Sequence, residues 1–188
     1  FRLNKIKKKK NKKVTFLLAG QIKKSKGLNL ILESYLNLPK EIIKKTRLVI
    51  AGKMSNKIKK WMENRKLYFK GNIEIIDKFL SEKQLNTLIY NADYVFNFKI
   101  RDKGESSGIV SRAISLGTPI ISSKIGTNKE LFKKSKLITN ISSKNLSKKI
   151  EMCINYRKEI VKKERELFFK IKKNNSKKII LNLYKSIK

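Results

Sequence analysis

The stretch Gly104–Ile121, GESSGIVSRAISLGTPII, decides the predicted fold. It follows an apolar strand that ends at Phe98 and passes through a Ser-Ser-Gly turn into a helix of small residues. The helix stops at Gly117, and Pro119 then opens a second apolar strand. Two strands that are apolar throughout, joined by a helix, are typical of a parallel sheet covered on both faces.

The stretch Gly20–Gly27, GQIKKSKG, repeats this arrangement near the start of the chain, after the apolar strand Val14–Ala19. Glycine at position 20 permits a tight turn and the close approach of a ligand. Lys26, at the mouth of the next helix, can meet a phosphate that the helix dipole already favours. Two helix N-termini at the carboxyl ends of strands predict one anion pocket. Taken alone, the motif is equally typical of an ordinary turn with a solvent-exposed lysine.

Strands and helices alternate along the rest of the chain, which predicts βαβ units. Strands are predicted at Val14–Ala19, Arg47–Ala51, Leu67–Phe69, Ile73–Ile76, Tyr94–Phe98, Pro119–Ser122 and Leu137–Thr139. Helices are predicted at Leu28–Leu36, Asn56–Arg65, Glu82–Asn91, Ser107–Leu116 and Asn128–Lys133, followed by a mostly helical tail over Ser143–Lys188. An apolar stripe at helical spacing in this tail is predicted to pack mostly on the sheet, and its members are Leu146, Ile150, Ile154, Leu167, Phe168 and Ile171. We therefore predict an α/β fold, a doubly wound, open parallel sheet of about six strands with helices on both faces.

Length and cysteine content limit the class of protein. The chain has 188 residues, enough for one α/β domain, and it starts at Phe1, so we expect a piece of a longer protein. Its single cysteine, Cys153, excludes an intramolecular disulfide and suits a reducing compartment. The absence of histidine and of a cysteine cluster argues against a metal site. Without a signal-peptide pattern or a membrane-spanning apolar run, we expect a cytoplasmic protein.

The formal net charge is +34, from 48 Lys and Arg against 14 Asp and Glu. One reading is a basic module for nucleic acid or anionic membrane, carried by Lys5–Lys13 and the lysine-rich tail. The other is that lysine is the default surface residue of a lysine-rich, arginine-poor chain, and the composition favours this reading. We expect no specific nucleic-acid partner. If the positive charge attracts the protein to a surface, we expect peripheral association with the inner face of an anionic membrane. Residues 1–13 are predicted to be a basic linker remnant.

Four segments in this order resemble the C-terminal, donor-binding domain of a GT-B fold glycosyltransferase of family 4 (glycosyl transferases group 1), over nearly all of Val14–Phe132. They are GQIKKSKGLNLILESYLNL, RLVIAGK, FKGNIEIIDKFLSEKQLNTLIYNADYVFNF and ESSGIVSRAISLGTPIISSKIGTNKELF. The resemblance implies that residues 14–188 form a Rossmann-like domain that binds a nucleotide-diphosphate sugar, facing a missing N-terminal acceptor domain. It implies a bacterial hexosyltransferase of polysaccharide biosynthesis, acting with retention on a glycan, lipid-linked or lipopolysaccharide acceptor. The nucleotide sugar is then a donor substrate, and no cofactor or metal is implied.

The same resemblance assigns roles to individual residues. Lys26 would contact the donor pyrophosphate, the segment Ile76–Phe79 would hold the base through backbone groups, and the start of the helix near Gly108 would lie against the phosphates. Glu105 is the catalytic candidate. The implied substrate-binding residues are Gly20, Gln21, Lys26, Asp77, Lys78, Phe79, Ser106, Ser107, Gly108, Ile109 and Arg112.

The chain departs from the family pattern at two positions. Gln21 stands where the family usually has an arginine, so one diphosphate cation is absent. The family also has two glutamates with seven residues between them; here Arg112 holds the second position, and the first falls on Gly104, next to Glu105. Glu105 could contact the sugar if the loop is one residue shorter. Arg112 cannot accept a hydrogen bond from a ribose hydroxyl, but it could give a forked contact to a phosphate.

These departures leave two alternatives open: an active enzyme with a divergent site and a non-catalytic glycosyltransferase-like domain. The basic binding module that the charge suggests is a third. Two other residues are read as structural. Trp61 is expected to be a partly buried anchor rather than a stacking platform, and Cys153 is expected in the core.

Overall fold

The structure of the chain is a computed structural model that describes residues 12–67, 72–101 and 108–186, with side chains up to residue 174. Its six strands form one sheet. They are β1 (Val14–Ala19), β2 (Thr46–Ala51), β3 (Ile73–Ile76), β4 (Tyr94–Asn97), β5 (Ile120–Ser123) and β6 (Ile138–Thr139).

The strand order in the sheet is β3-β2-β1-β4-β5-β6, and every pair of neighbours is parallel. The chain builds outward from β1 to one edge and then returns to build from β4 to the other. The order therefore reverses between β1 and β4, which is where ligands bind in open α/β sheets. This confirms the predicted doubly wound, Rossmann-like α/β fold.

Eight α-helices connect and follow the strands of the described sheet. They are α1 (Leu28–Leu36), α2 (Lys40–Lys44), α3 (Asn56–Glu63), α4 (Glu82–Asn91), α5 (Gly108–Leu116), α6 (Thr127–Leu131), α7 (Ser143–Asn155) and α8 (Arg157–Ser186). The predicted bounds of α1 and α4 match the structure. The short helix α2 was not predicted. The predicted strand Leu67–Phe69 falls mostly outside the described residues; Leu67 itself is buried.

Alternate side chains of the central strand serve two cores, one on each face of the sheet. Phe16 and Leu18 belong to the core beneath α1, α3 and α7, whereas Leu17 and Ala19 belong to the core beneath α4 and α5. Phe16 stacks on Tyr94 with ring centroids 5.3 Å apart. Both faces of the sheet are thus covered, as the apolar strands predict.

The helical tail packs on this sheet through part of its predicted apolar stripe. Leu146, Ile150 and Phe168 are buried, and Cys153 is buried as expected. The other members of the stripe are only half-buried: Ile154, Leu167 and Ile171.

A buried carboxylate fixes the start of α8 to the sheet. Asp93 accepts a hydrogen bond from the backbone N–H of Thr15 at 2.9 Å and pairs with Arg157 at 2.5 Å.

Within the described residues, no helix is both long enough and apolar enough to cross a bilayer.

A second buried carboxylate, Glu164, fixes α8 further along. It accepts hydrogen bonds from the Ser135 hydroxyl, at 2.8 and 2.9 Å to its two oxygens, and from the backbone N–H of Lys136 at 3.2 Å. Burial is the main cause that raises the pKa of Glu164 above its usual value; these hydrogen bonds and the charge of Lys149 oppose that rise.

We expect Gly52→Ala to lower the free energy of unfolding by about 2–4 kcal/mol. The residue has a φ of +143°, and a Cβ there would lie 1.7 Å from the carbonyl oxygen of Gly20. Urea unfolding measures the effect. Gly108→Ala is the matched control, because a Cβ at Gly108 meets nothing within 4 Å. Equal destabilisation by the two substitutions would contradict the importance of the Gly20–Gly52 contact.

We expect Glu164→Gln to change the pH dependence of stability. The folded state binds the proton of Glu164 more tightly than the unfolded state, so this contribution is present at low pH and lost as pH rises through the raised pKa. From about pH 4 upward, the wild type should lose stability relative to the variant. Urea unfolding at a series of pH values measures the difference, and Glu166→Gln controls for the loss of one carboxylate. A wild type that keeps or gains stability relative to the variant as pH rises would contradict this interpretation.

Candidate functional site

A cleft of about 640 Å³ opens at the carboxyl edge of the sheet, at the point where the strand order reverses. The turn after β1 forms one wall, the start of α5 forms the other, and the end of β4 lies between them. Its described lining residues are Leu18, Ala19, Gln21, Lys23, Lys24, Ser25, Lys26, Leu85, Phe96, Asn97, Phe98, Lys99, Ile100, Arg101, Gly108, Ile109 and Arg112.

The first wall is fixed to β4 by a glycine and a backbone hydrogen bond. Gly27 has a φ of +75°, and a Cβ there would lie 2.8 Å from the Cβ of Phe98. The backbone N–H of Ile100 donates to the carbonyl oxygen of Ser25 at 3.1 Å. Glycine at position 27 is therefore required twice, by its left-handed backbone and by its close approach to Phe98. These contacts hold the half-buried Lys26 beside the end of β4.

The second wall, the first turn of α5, lies against the turn that follows β1. A Cβ placed on Gly20 would be 3.5 Å from Cδ1 of Ile109. Gly20, with a φ of +94°, thus brings the end of β1 against the start of α5. The turn that leads into α1 and the N-terminus of α5, which the sequence predicted to share one pocket, border the same cleft.

Arg112, one turn into α5, is held by two side chains of α4. Its Nη1 donates to Oδ1 of the buried Asn86 at 3.0 Å, and its Nη2 pairs with the carboxylate of Glu82. Helix α4 begins with a capping box in which the Ser81 hydroxyl accepts from the N–H of Gln84 and the Gln84 side chain accepts from the N–H of Ser81. A well-formed helix end therefore positions the partners of Arg112.

The described lining of the cleft is cationic. It contains six basic residues and no acidic one, the six being Lys23, Lys24, Lys26, Lys99, Arg101 and Arg112. The remaining lining is largely apolar and includes Leu18, Phe96 and Ile109. A small cavity with an apolar floor and converging cations suits an anionic ligand that also carries a flat or apolar part.

Three of the predicted residues, Asp77, Lys78 and Phe79, follow β3 and are not part of this lining. Asp77 accepts a hydrogen bond from the backbone N–H of Met54 at 2.9 Å and pairs with Lys59 at 2.5 Å. The hydrogen bond from Lys59 is the main cause that holds the pKa of Asp77 below its usual value. Phe79 is 85% exposed. The role of this segment in holding the base stays a prediction.

The structure brings one group of the predicted residues together at the cleft: Gly20, Gln21, Lys26, Gly108, Ile109 and Arg112. Glu105, Ser106 and Ser107 lie outside the described residues, so their assigned roles stay predictions. Within the parts of the chain that the structure describes, no three acidic or cysteine side chains gather as metal ligands.

Sequence reasoning missed four cations of the lining and both partners of Arg112. Lys99 and Arg101 lie two and four residues after the end of β4, and that position at the switch point was the available signal. Lys23 and Lys24 lie within the quoted Gly20–Gly27 stretch, where only one lysine was singled out. No local pattern pointed to the partners of Arg112.

Comparison with known proteins identifies the family. A family model described as glycosyl transferases group 1 matches residues 2–168. The chain belongs to this family. The fold is therefore that of the Rossmann-like half of a GT-B glycosyltransferase, as the sequence resemblance predicted. A sequence search matched no curated protein.

Solved structures of glycosyltransferases share the fold at low sequence identity. HepE of Anabaena, crystallised with UDP-glucose, is 14% identical, with a TM-score of 0.72 over 86% of this chain and 44% of HepE. The C-terminal domain of LpcC, a glycosyl transferase group 1 protein of Francisella tularensis, is 18% identical, with a TM-score of 0.69 over 83% of this chain and 84% of that domain. WaaG, a glycosyltransferase involved in lipopolysaccharide biosynthesis, is 19% identical, with a TM-score of 0.63 over 84% of this chain and 43% of WaaG. The chain thus spans less than half the length of HepE and WaaG.

Proposed function

We propose that this domain binds the diphosphate of a nucleotide sugar in the cleft, between Lys26 and the first turn of α5. In this proposal it is the donor-binding half of an enzyme that transfers a hexose, with retention, to a glycan, lipid-linked or lipopolysaccharide acceptor. The observation that carries the proposal is the cationic cleft at the switch point, where six basic side chains converge without an acidic one among the described lining residues. Family membership supports glycosyl transfer as the chemistry.

The dimensions of the cleft favour a small ligand over a polyanion. Its volume of about 640 Å³ falls within the range of small-molecule sites, whereas a nucleic-acid interface is a broad surface. The apolar residues Leu18, Phe96 and Ile109 give it a floor that duplex backbone phosphates do not need. We therefore favour the nucleotide-sugar reading over the nucleic-acid module.

The solved relatives support the same ligand class. HepE was crystallised with UDP-glucose. A second structure, described as trehalose-6-phosphate from E. coli, was bound with UDP-2-fluoro glucose; it is 17% identical, with a TM-score of 0.71. WaaG supports a lipopolysaccharide type of acceptor. Since the chain spans under half of HepE and WaaG, most of the acceptor site is assigned to a further domain.

The chemical task of this half is to stabilise the leaving diphosphate. When a glycosidic bond breaks, negative charge grows on the departing phosphate oxygen, and cations or oriented N–H groups already aimed there lower the barrier. Lys26 and Arg112 supply the cations, and the start of α5 at Gly108 supplies the N–H groups. Glu105 is assigned the contact with the donor sugar, and Ser106 and Ser107 the contact with the phosphates. The segment Asp77–Phe79 is assigned the base.

We expect Lys26→Ala to weaken the binding of UDP or GDP by about 1–3 kcal/mol, the range for losing a charge-assisted hydrogen bond. Isothermal titration calorimetry measures the affinity. Lys40→Ala is the control, because Lys40 is exposed at the start of α2, away from the cleft, and its substitution removes the same charge. If the two variants bound the nucleotide equally well, the assignment of the pocket would be wrong.

We expect Gln21→Arg to strengthen nucleoside diphosphate binding by about 0.5–1.5 kcal/mol, because it adds a cation at the cleft where the family usually has an arginine. Gln21 is exposed and lines the cleft, so the longer side chain has room. Asn37→Arg, on the exposed end of α1, controls for the added net charge. A gain of the same size in both variants would show that overall charge, and not the cleft, sets the affinity.

A further inference from the structure

A second cavity, of about 540 Å³, lies beside the cleft at the carboxyl ends of β1 and β2. We call it the lysine pocket. The turn after β1 forms a wall that it shares with the cleft, since Gln21, Lys23 and Lys24 line both. Its described lining residues are Gln21, Ile22, Lys23, Lys24, Lys53, Met54, Ser55, Lys57 and Ile58.

We propose that the lysine pocket binds a phosphate ester, and that this ester belongs to the acceptor. The assignment to the acceptor rests on the proposed function. The pocket itself rests on three observations: its cationic rim, its apolar floor and its position beside the donor cleft.

The rim of the lysine pocket carries four lysines and, among its described residues, no acidic one. None of the ion pairs in the described chain involves Lys23, Lys24, Lys53 or Lys57. The nearby carboxylate of Asp77 pairs with Lys59 at 2.5 Å, and the charge of Lys53 acts on it only from beyond ion-pair distance. Several like charges around one cavity repel one another, and an anion with two charges relieves that repulsion better than a single carboxylate does. Lysine binds phosphate as a compact point charge.

The floor of the lysine pocket is apolar and fixed. Ile22, Met54 and Ile58 are buried, with exposed fractions of 2, 3 and 6%. The backbone N–H of Met54 donates to Asp77 at 2.9 Å, which holds the loop after β2 in place. An apolar floor under a cationic rim suits the carbon part of a sugar phosphate or of a lipid phosphate better than it suits a bare inorganic ion.

The position of the lysine pocket assigns the ester to the acceptor. Only the turn at Gln21–Lys24 separates it from the cleft proposed for the donor diphosphate. A ligand held in each cavity therefore brings the two substrates side by side, which is what a transfer reaction requires.

The structure also provides a reporter for this pocket. Trp61 is the single tryptophan of the chain, and the ammonium of Lys24 lies 5.9 Å from the centroid of its ring system. The guanidinium carbon of Arg65 lies 4.3 Å from the same centroid. A ligand that draws Lys24 toward the pocket changes the charge above the indole and therefore its fluorescence.

The experiment titrates this chain with inorganic phosphate and with a hexose 6-phosphate at constant ionic strength, with and without saturating UDP. Trp61 fluorescence and calorimetry follow the binding. A separate arm uses vesicles of phosphatidylglycerol, with phosphatidylcholine vesicles as reference. Saturable binding of the hexose phosphate identifies a soluble ester, and binding to the phosphatidylglycerol vesicles alone identifies a lipid phosphate; either supports the proposal. Absence of saturable binding in every arm overturns it.

One double variant in the lysine pocket, one single variant in the cleft and one control double variant show where the ester binds. We expect Lys53→Ala/Lys57→Ala to weaken phosphate-ester binding roughly tenfold or more while UDP affinity stays unchanged. Lys26→Ala should show the opposite pattern. Lys40→Ala/Lys148→Ala removes the same charge from exposed lysines elsewhere and should change neither.

Two results overturn the lysine pocket: equal loss in both double variants, which indicates unspecific attraction, and competition between UDP and the ester, which places the ester in the donor cleft. A chain that binds the ester through Lys53 and Lys57 but binds neither UDP nor GDP keeps the pocket and overturns the proposed function. The two proposals therefore fail separately.

Discussion

The close contact between Gly20 and Gly52 sets the geometry of the carboxyl edge of the sheet. Strands β1 and β2 pair along all six residues, and the backbone continues into this contact, where the carbonyl oxygen of Gly20 occupies the space of a side chain at position 52. Only glycine fits there, because the backbone of Gly52 is also left-handed. The turn fixed in this way then packs on the side chain of Ile109 of α5, so these two glycine contacts, and not the lysine side chains, set the spacing of the two cleft walls.

The few acidic residues of the chain help to explain why the cleft is so strongly cationic. Several of the 14 carboxylates join elements of the fold: Asp93 joins α8 to the sheet, Asp77 joins the ends of β2 and β3, and Glu164 joins α8 to the loop before β6. Glu82 likewise joins α4 to α5. None of these carboxylates lines the cleft. The described lining therefore keeps its positive potential, even though salt bridges occur at several places in the structure.

The sequence predicted the elements of the fold because each one leaves a local pattern. Helix α4 has a Ser81 cap followed by a glutamine at the third helical position, and its predicted bounds match the structure. The short helix α2 has only five residues after Pro39, too few for an apolar period, and it was missed. The pairing of Arg112 with Glu82 links residues thirty positions apart. Such a contact depends on how two helices dock, so no local pattern announces it.

Parallel topology determines how much of the site could be predicted from the sequence. Gly20, Lys26 and Gly108 could be placed at one pocket, because parallel topology brings the carboxyl ends of strands to one edge. The second cavity beside them could not be predicted. It depends on how the loop after β2, held by Asp77, stands against the turn after β1, and only the folded chain shows that arrangement.

The pairing of Arg112 is compatible with the phosphate contact assigned to it. Guanidinium has five N–H donors, and Asn86 and Glu82 each engage one of its nitrogens. The side chain of Glu82 is 79% exposed, so this ion pair is worth at most about 1 kcal/mol in water. A diphosphate in the cleft offers more charge than one solvated carboxylate and can take its place at the guanidinium. Asn86 is buried and neutral, and it keeps the arginine aligned during that exchange. In the proposed complex, the cation that Gln21 fails to supply on one wall is thus replaced by Arg112 on the other.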